Sequence, residues 1–281
     1  MNISARVKEH YQFLINKGYE VVITFLQGSQ NYNLDEYSDN YISDVDTKSI
    51  VLPHFKDIVK GSTPVSTVEI LDNNEHAEVK DIRIMFEMFE KMNISYIELL
   101  YSKYIYINPK YQHLVSSLLD RRAGIAAYNE VQFLKCIYGM ACEKCKALCH
   151  PYPNTMEKIE KYGYDGKQLS HCARLYYFVC KYLAGLPLED CYNATEFRTE
   201  LMNYKKQLKY NGLPLNKEDA IDLCEGFRAE IRFLIEPKIA EEPVLDASIP
   251  AFLDELKCEL IAMKLKGDLL DEKSSSSKTI A

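Results

Sequence analysis

An apolar segment, residues 21–26, and a second extended segment, residues 47–52, are joined by a polar loop, and this arrangement constrains the fold more than any other feature. Each segment has the length and composition of a β-strand. Asp44 and Asp46 stand at the entry to the second strand, and alternate side chains of a strand point to the same face. The two carboxylates should therefore project together and hold one hard cation, which commonly links protein carboxylates to the phosphates of a substrate.

The polar loop begins with Gly28 and Ser29, directly after the first strand. Glycine lets the backbone come close to a phosphate, and serine adds a hydroxyl and an amide beside it. Together with the carboxylate pair, this arrangement suits metal-dependent transfer at phosphorus, with Mg²⁺ or Mn²⁺ as the expected ion. The prediction depends on the order of the two motifs along the chain, because a Gly-Ser pair or an Asp-x-Asp pair alone is common and usually has no binding role.

This order of motifs resembles that of the DNA polymerase beta-like nucleotidyltransferases. Within that superfamily, the chain is most similar to predicted nucleotidyltransferases of phages and bacteria that carry a helical C-terminal half. The resemblance implies that Asp44 and Asp46 bind divalent metal and that Gly28 and Ser29 hold a nucleoside triphosphate such as ATP. It also implies that a third carboxylate on a neighbouring strand completes the site.

The sequence predicts two further strands, residues 67–71 and 77–84, joined by a polar turn at residues 72–75. The third carboxylate is expected on one of these strands. Asp81 fits the position that the resemblance implies, as a ligand of the second metal or a general base toward the acceptor hydroxyl. Glu78 is the alternative, although it points to the opposite face from Asp81. A structural alternative for Asp81 is the N-cap of the helix that follows.

A second candidate cluster contains Lys167, His171 and Arg174, spaced so that all three lie on one face of a helix. Three such groups repel one another unless an anion lies between them, and the start of a helix favours an anion. The resemblance implies that this cluster grips the triphosphate or the phosphates of the acceptor. The alternative is a solvated polar helix face.

A zinc site is a further candidate, at Cys142, Cys145, Cys149 and His150. Structural zinc normally uses two short-spaced ligand pairs on turns. These four residues instead lie along what the sequence predicts as one continuous helix, residues 129–148, where cysteines pack as small hydrophobic residues. The spacing favours an apolar stripe over a zinc site.

Composition narrows the class of protein. The chain has 281 residues and a formal net charge of −7, which disfavours a broad nucleic-acid surface but leaves a local basic site for an RNA end open. Nine scattered cysteines indicate reduced thiols. Since no signal region or long apolar stretch is evident, we expect a cytoplasmic protein without a membrane span.

The predicted fold class is α+β, with a small mixed β-sheet nucleotidyltransferase core flanked by helices at residues 1–114. An all-α helical bundle follows at residues 115–267, and a low-complexity tail at 268–281 is predicted to be disordered. The helical half is inferred from paired N-capping residues. These pairs are Asn154 with Glu157, Asp165 with Gln168, Asn193 with Glu196, and Asn216 with Asp219.

The leading functional hypothesis is transfer of a nucleoside monophosphate from a triphosphate to an acceptor hydroxyl, on a tRNA or other RNA 3′ end, a protein side chain or a small molecule. A noncatalytic nucleotide- or RNA-binding module is the alternative. Its support is the spacer at residues 30–43, which is a few residues longer than usual for the resembled group, with a loop insertion predicted around residues 35–41. An interaction protein of a phage or defence system is a third option. The nucleotide, the acceptor and the oligomeric state stay open.

Overall fold

The computed structural model describes residues 2–38 and 41–276, and these form an α+β structure as predicted. The described strands, in chain order, are β1 Glu20–Gln27, β2 Tyr37–Ser38, β3 Tyr41–Ile42, β4 Asp46–Leu52, β5 Ser66–Ile70, β6 His76–Asp81 and β7 Ile105–Ile107. The described α-helices are α1 Ile3–Asn16, α2 Phe55–Val59, α3 Ile82–Glu90, α4 Ile94–Ile97, α5 Gln112–Asp120, α6 Arg122–Ala127, α7 Glu130–Ala147, α8 Met156–Tyr162, α9 Gly166–Leu183, α10 Leu188–Tyr192, α11 Arg198–Lys205, α12 Lys217–Ile239 and α13 Ser248–Ser276. Across this part of the chain, no helix combines the length and apolarity that a membrane crossing requires.

The chain divides into two compact units, and neither is a single stretch of sequence. The first, here called the sheet unit, contains the residues up to Gly28, residues 44–128 and the chain from Leu245 onward. The second, the helical unit, contains residues 29–43 and 129–244. The single boundary predicted near residue 114 is therefore replaced by a division in which the spacer loop belongs with the helices and α13 belongs with the sheet.

The predicted disordered tail also differs from the structure. The backbone of residues 268–276 continues α13, whereas residues 277–281 lie outside the described part of the chain. A serine-rich sequence alone could not reveal that the preceding helix extends into this segment.

The sheet unit is built on a five-stranded sheet with the order β5-β6-β4-β1-β7. β4 and β6 run parallel, whereas the other neighbouring pairs are antiparallel. Leu14 of α1 packs on one face of this sheet, in a core cluster with Val21, Val51, Ala77 and Val79. The even-numbered residues of β4 and β6 therefore point to the other face, since side chains alternate along a strand.

The helical unit contains α7, α9 and α12, which pack against one another. Side-chain caps begin each of these helices, as predicted for two of them: Asp165 caps α9 and Asn216 caps α12. The N-cap of α8 is Thr155 rather than the predicted Asn154. A two-stranded hairpin of β2 and β3 occupies the spacer loop.

Candidate functional site

The turn that follows β1 lies at the same end of the sheet as the start of β4. Gln27 pairs with Asp46 across the antiparallel strands, so the next residue, Gly28, leaves the sheet beside the entry to β4. Gly28 has a φ of +91°, in the left-handed region that favours glycine. The predicted proximity of the glycine turn and the carboxylate pair is therefore present in the backbone of the sheet unit.

Asp44, Val45 and Asp46 alternate as the sequence predicted. Asp44 is exposed, Val45 is fully buried and the side chain of Asp46 is 37% exposed. Oδ1 of Asp46 accepts a hydrogen bond from the backbone N–H of His76 at 3.3 Å. The same oxygen lies 3.2 Å from Nδ1 of the His76 ring. Both carboxylates thus reach the surface on the side of the chain opposite Val45.

Glu75 anchors this carboxylate-bearing segment, a role that the sequence did not reveal. Its side chain is 8% exposed, and Oε1 accepts from the backbone N–H of Val45 at 3.3 Å. Oε2 accepts from Nε2 of His10 at 2.8 Å and from Arg6 at 2.5 Å. His10 in turn contacts Oγ1 of Thr47 at 2.9 Å. The backbone between Asp44 and Asp46 is therefore held by a buried polar cluster.

Protonation equilibria in this cluster follow from burial. Desolvation lowers the pKa of His10 below its ordinary value of 6.5, against the opposing effect of Glu75. Burial alone would raise the pKa of Glu75, but the hydrogen bonds from His10 and Arg6 outweigh it and lower this pKa. Near neutral pH the cluster therefore combines a neutral imidazole with an ionised carboxylate.

The assignment of Asp81 as the third metal carboxylate is wrong on geometric grounds. Asp81 pairs with Val51, five residues along β4 from Asp46, which is about 16 Å at the usual rise of a strand. It also lies on the opposite face of the sheet, with Val79 in the core. The carboxylate is fully buried and caps α3, and it accepts two bonds from Arg83 at 2.9 and 2.7 Å. The helix-cap alternative is confirmed.

Glu78, the alternative third carboxylate, lies on the same face of the sheet as Asp46, but it already forms ion pairs with two lysines. It lies opposite Lys48 of β4, and its two oxygens pair with Lys48 at 3.0 Å and with Lys80 at 2.8 Å. These cations lower the pKa of Glu78 despite its burial. The described part of the sheet unit therefore offers Asp44 and Asp46 without a third carboxylate grouped with them.

Ser29 and the basic triad all belong to the helical unit. Ser29 begins a 3₁₀ turn, Ser29–Tyr32, and its carbonyl accepts from the N–H of Leu34 at 2.9 Å. The guanidinium carbon of Arg174 lies 3.7 Å from the centre of the Tyr32 ring. The segment that starts with Ser29 and the helix that carries the triad are thus in direct contact.

Arg174 is 7% exposed, and its Nε and Nη1 atoms have no hydrogen-bond partner among the described residues. A buried, unsatisfied guanidinium is costly, because each N–H has lost its water without a replacement. The cation–π contact with Tyr32 offsets part of this cost. The N–H groups on Nε and Nη1 of Arg174 are suited to donate to an anion.

Positive charge is concentrated around His171, one turn from Arg174. Burial lowers the pKa of His171 well below 6.5, and the charges of Arg174, Lys144, Lys167 and Lys205 lower it further. α9 runs without a break from Gly166 to Leu183, so helix geometry places the three residues along one face, and Lys144 of α7 and Lys205 of α11 lie near enough to act on His171. His171 is uncharged near neutral pH, so Arg174 and the lysines supply the charge.

The triad begins at a tightly packed helix start. Asp165 caps α9 by accepting from the N–H of Lys167 at 3.1 Å. A Cβ on Gly166 would lie 2.3 Å from the carbonyl oxygen of Tyr204, so α11 approaches the helix start closely. Only glycine fits there without a backbone shift, which fixes the first turn of α9 against its neighbour.

A cavity of about 820 Å³ in the helical unit is a different kind of site. Tyr176, Tyr210 and Phe227 line it together with the carboxylates of Asp219 and Asp222. Because carboxylates repel phosphate, these residues do not favour an anion in this cavity, in contrast to the surroundings of Arg174.

The sequence matches no known family profile and no curated protein. Among solved structures, the chain is similar to a nucleotidyltransferase-like protein from Exiguobacterium sibiricum 255-15. The two share 11% sequence identity with a TM-score of 0.28, and the alignment covers 82% of this chain and 74% of that chain.

Proposed function

We propose that this chain is a metal-dependent nucleotidyltransferase, which transfers a nucleoside monophosphate from a nucleoside triphosphate to an acceptor hydroxyl. The observation that carries the proposal is the buried guanidinium of Arg174, with its unsatisfied Nε and Nη1 donors among lysine charges. Guanidinium donors match phosphate oxygens in geometry as well as in charge. The contact of Arg174 with Tyr32 supports a phosphate site that includes the segment following Gly28.

The metal is assigned to Asp44 and Asp46. Mg²⁺ usually takes one or two protein carboxylates together with substrate phosphates and water, so a pair of surface carboxylates fits the ion. When bound, the ion would neutralise charge that develops on the phosphoryl oxygens. Glu75 contributes by fixing the backbone of Val45, so that the two aspartates keep one geometry before and after the ion binds.

The phosphate assignment is tested by calorimetric titration of the whole protein with each nucleoside triphosphate and Mg²⁺. Arg174→Lys keeps a positive charge but removes the guanidinium donors. Since a hydrogen bond to a charged group contributes about 1.5–3 kcal/mol, we expect the affinity to fall by about 10- to 150-fold. Lys167→Met should weaken binding by a smaller factor, because this side chain is exposed to solvent.

The matched control is Arg232→Lys. Arg232 also lies over a tyrosine ring in the helical unit, 5.6 Å from the centre of Tyr138, but its side chain is 47% exposed. Its substitution should leave nucleotide affinity unchanged. If Arg174→Lys bound nucleotide as tightly as the natural protein, the phosphate assignment would be wrong.

A noncatalytic nucleotide-binding protein is the second candidate. The observation that favours it is the position of Asp81, which leaves Asp44 and Asp46 without the third carboxylate that the resemblance implies. Pyrophosphate release with an RNA or protein acceptor separates the two functions. Nucleotide binding without any pyrophosphate release, and with unchanged affinity in Asp46→Asn, would favour the noncatalytic alternative.

A further inference from the structure

Three cysteines from three different helices meet inside the helical unit. Cys145 of α7, Cys172 of α9 and Cys224 of α12 place their sulfur atoms within 4.8 Å of one another. The Sγ atoms of Cys145 and Cys224 are 3.3 Å apart. Within the described part of the chain, no other group of three metal-ligating side chains is this close.

The distances fit a metal–thiolate site. Zinc–sulfur bonds of roughly 2.3 Å in a tetrahedral site place sulfur atoms about 3.8 Å apart. The observed separations are close to this value, since the sulfur atoms of Cys145 and Cys224 lie 3.3 Å apart and all three lie within 4.8 Å of one another. Small side-chain rotations therefore suffice to bring the three sulfur atoms around one ion.

Burial gives the cluster a closed side and an open side. Cys172 and Cys224 are fully buried, whereas Cys145 is partly exposed. The backbone carbonyl of Cys224 accepts from the thiols of Cys145 at 3.4 Å and of Cys172 at 3.6 Å, which orients the protonated thiols toward one point. Cys145 is thus the member of the cluster that solvent reaches.

Cysteines also occur in cores simply as small hydrophobic residues. That explanation accounts for an isolated buried thiol such as Cys191, but it does not require sulfur atoms from three helices to converge. Three thiolates select soft or borderline cations such as Zn²⁺ over Mg²⁺, which prefers oxygen ligands.

We propose that Cys145, Cys172 and Cys224 form a zinc site that joins α7, α9 and α12. This differs from the zinc candidate based on sequence spacing, because only Cys145 is common to the two ligand sets. The ion would fix α9, the helix that carries Lys167 and Arg174. The proposal does not depend on nucleotide transfer, and its test does not use nucleotide.

The test is metal titration of the whole protein, purified with a phosphine reductant that supplies no thiolate ligand, and without chelator. Cd²⁺ serves as the spectroscopic probe, since its bonds to thiolates absorb in the ultraviolet, and Zn²⁺ affinity is measured by competition with a chromophoric chelator. We expect one Cd²⁺ per chain with a thiolate band. Cys145→Ser and Cys172→Ala should lose the band and weaken Zn²⁺ binding by more than the roughly 10- to 100-fold that is typical when a residue that only orients a metal ligand is removed.

Cys191→Ser and Cys142→Ser are the controls, because each removes a free thiol of the helical unit that does not belong to the cluster. Both should retain one Cd²⁺ with unchanged affinity. Cys145 is partly exposed, so Cys145→Ser should fold, and circular dichroism checks this. Absence of the band in the natural protein, its persistence in Cys145→Ser, or recovery of the thiols only as a disulfide would each overturn the proposal.

Discussion

Asp81→Asn separates the structural role of this carboxylate from the metal role that the sequence suggested. The buried carboxylate caps α3 and binds Arg83 through two hydrogen bonds. Asparagine is also a good N-cap, so the substitution removes mainly the charge-assisted bonds to Arg83. A hydrogen bond to a charged group contributes about 1.5–3 kcal/mol, and partial exposure of Arg83 lowers the effect. We expect Asp81→Asn to lower the free energy of unfolding by about 2 kcal/mol.

Asp81→Ala also removes the helix cap, which lowers the free energy of unfolding by about 1 kcal/mol more. The total decrease for Asp81→Ala should therefore be about 3 kcal/mol. Urea unfolding followed by tyrosine fluorescence measures both values, because the chain has 21 tyrosines and no tryptophan. Arg83→Gln, alone and combined with Asp81→Asn, forms a double-mutant cycle that isolates the coupling. Mg²⁺ and nucleotide affinities should stay unchanged in Asp81→Asn. Lost Mg²⁺ binding with unchanged stability would refute the register argument and restore Asp81 as a ligand.

Three further predictions concern other parts of the chain. Asp44→Asn and Asp46→Asn should each abolish Mg²⁺-dependent pyrophosphate release while circular dichroism stays unchanged, since two neighbouring carboxylates do not stabilise the fold. His10 has a folded pKa below 6.5, so the unfolded chain binds more protons as the pH falls through 6.5. Stability should therefore fall on acidification, and His10→Gln should reduce the fall between urea midpoints at about pH 7.5 and 5.5. Gly166→Ala should lower the melting temperature, because its Cβ would lie 2.3 Å from the carbonyl oxygen of Tyr204.

Local patterns in the sequence predicted the elements that depend on neighbouring residues. β1 was found from its apolar run and β4 from the extended run at residues 47–52, and the alternation around Val45 followed from the period of a strand. The caps Asp165 and Asn216 were found because an N-cap bonds within its own first turn.

Features that depend on strand order were missed. Asp81 was predicted as a metal ligand because the resemblance implies a third carboxylate on a neighbouring strand, and Asp81 ends such a strand. The parallel direction of β6 beside β4 places it at the far end and on the other face. Glu75 was placed in a turn, and its role depends on contacts with His10 and Val45, which are 65 and 30 residues away. No local period records such contacts.

The length of the spacer between Gly28 and Asp44 has a structural explanation in the helical unit. Arg198 of α11 donates to the backbone carbonyls of Asn33 and, at 2.5 Å, of Asp35. The side chain of Asn33 donates to Asn193 at 2.8 Å, and Glu36 pairs with Lys206 at 2.7 Å. These contacts make the segment a packed part of the helical unit rather than a solvated insertion.

The spacer length is therefore weak support for a noncatalytic protein. Asp35 and Glu36, which fall where the added length was predicted, contact Arg198 and Lys206, so they attach the segment that starts with Ser29 to the helices. The same segment carries Tyr32, whose ring covers the guanidinium of Arg174. The long spacer is thus a packed segment that contacts α9 and α11 of its own unit, which a short solvated turn would not do.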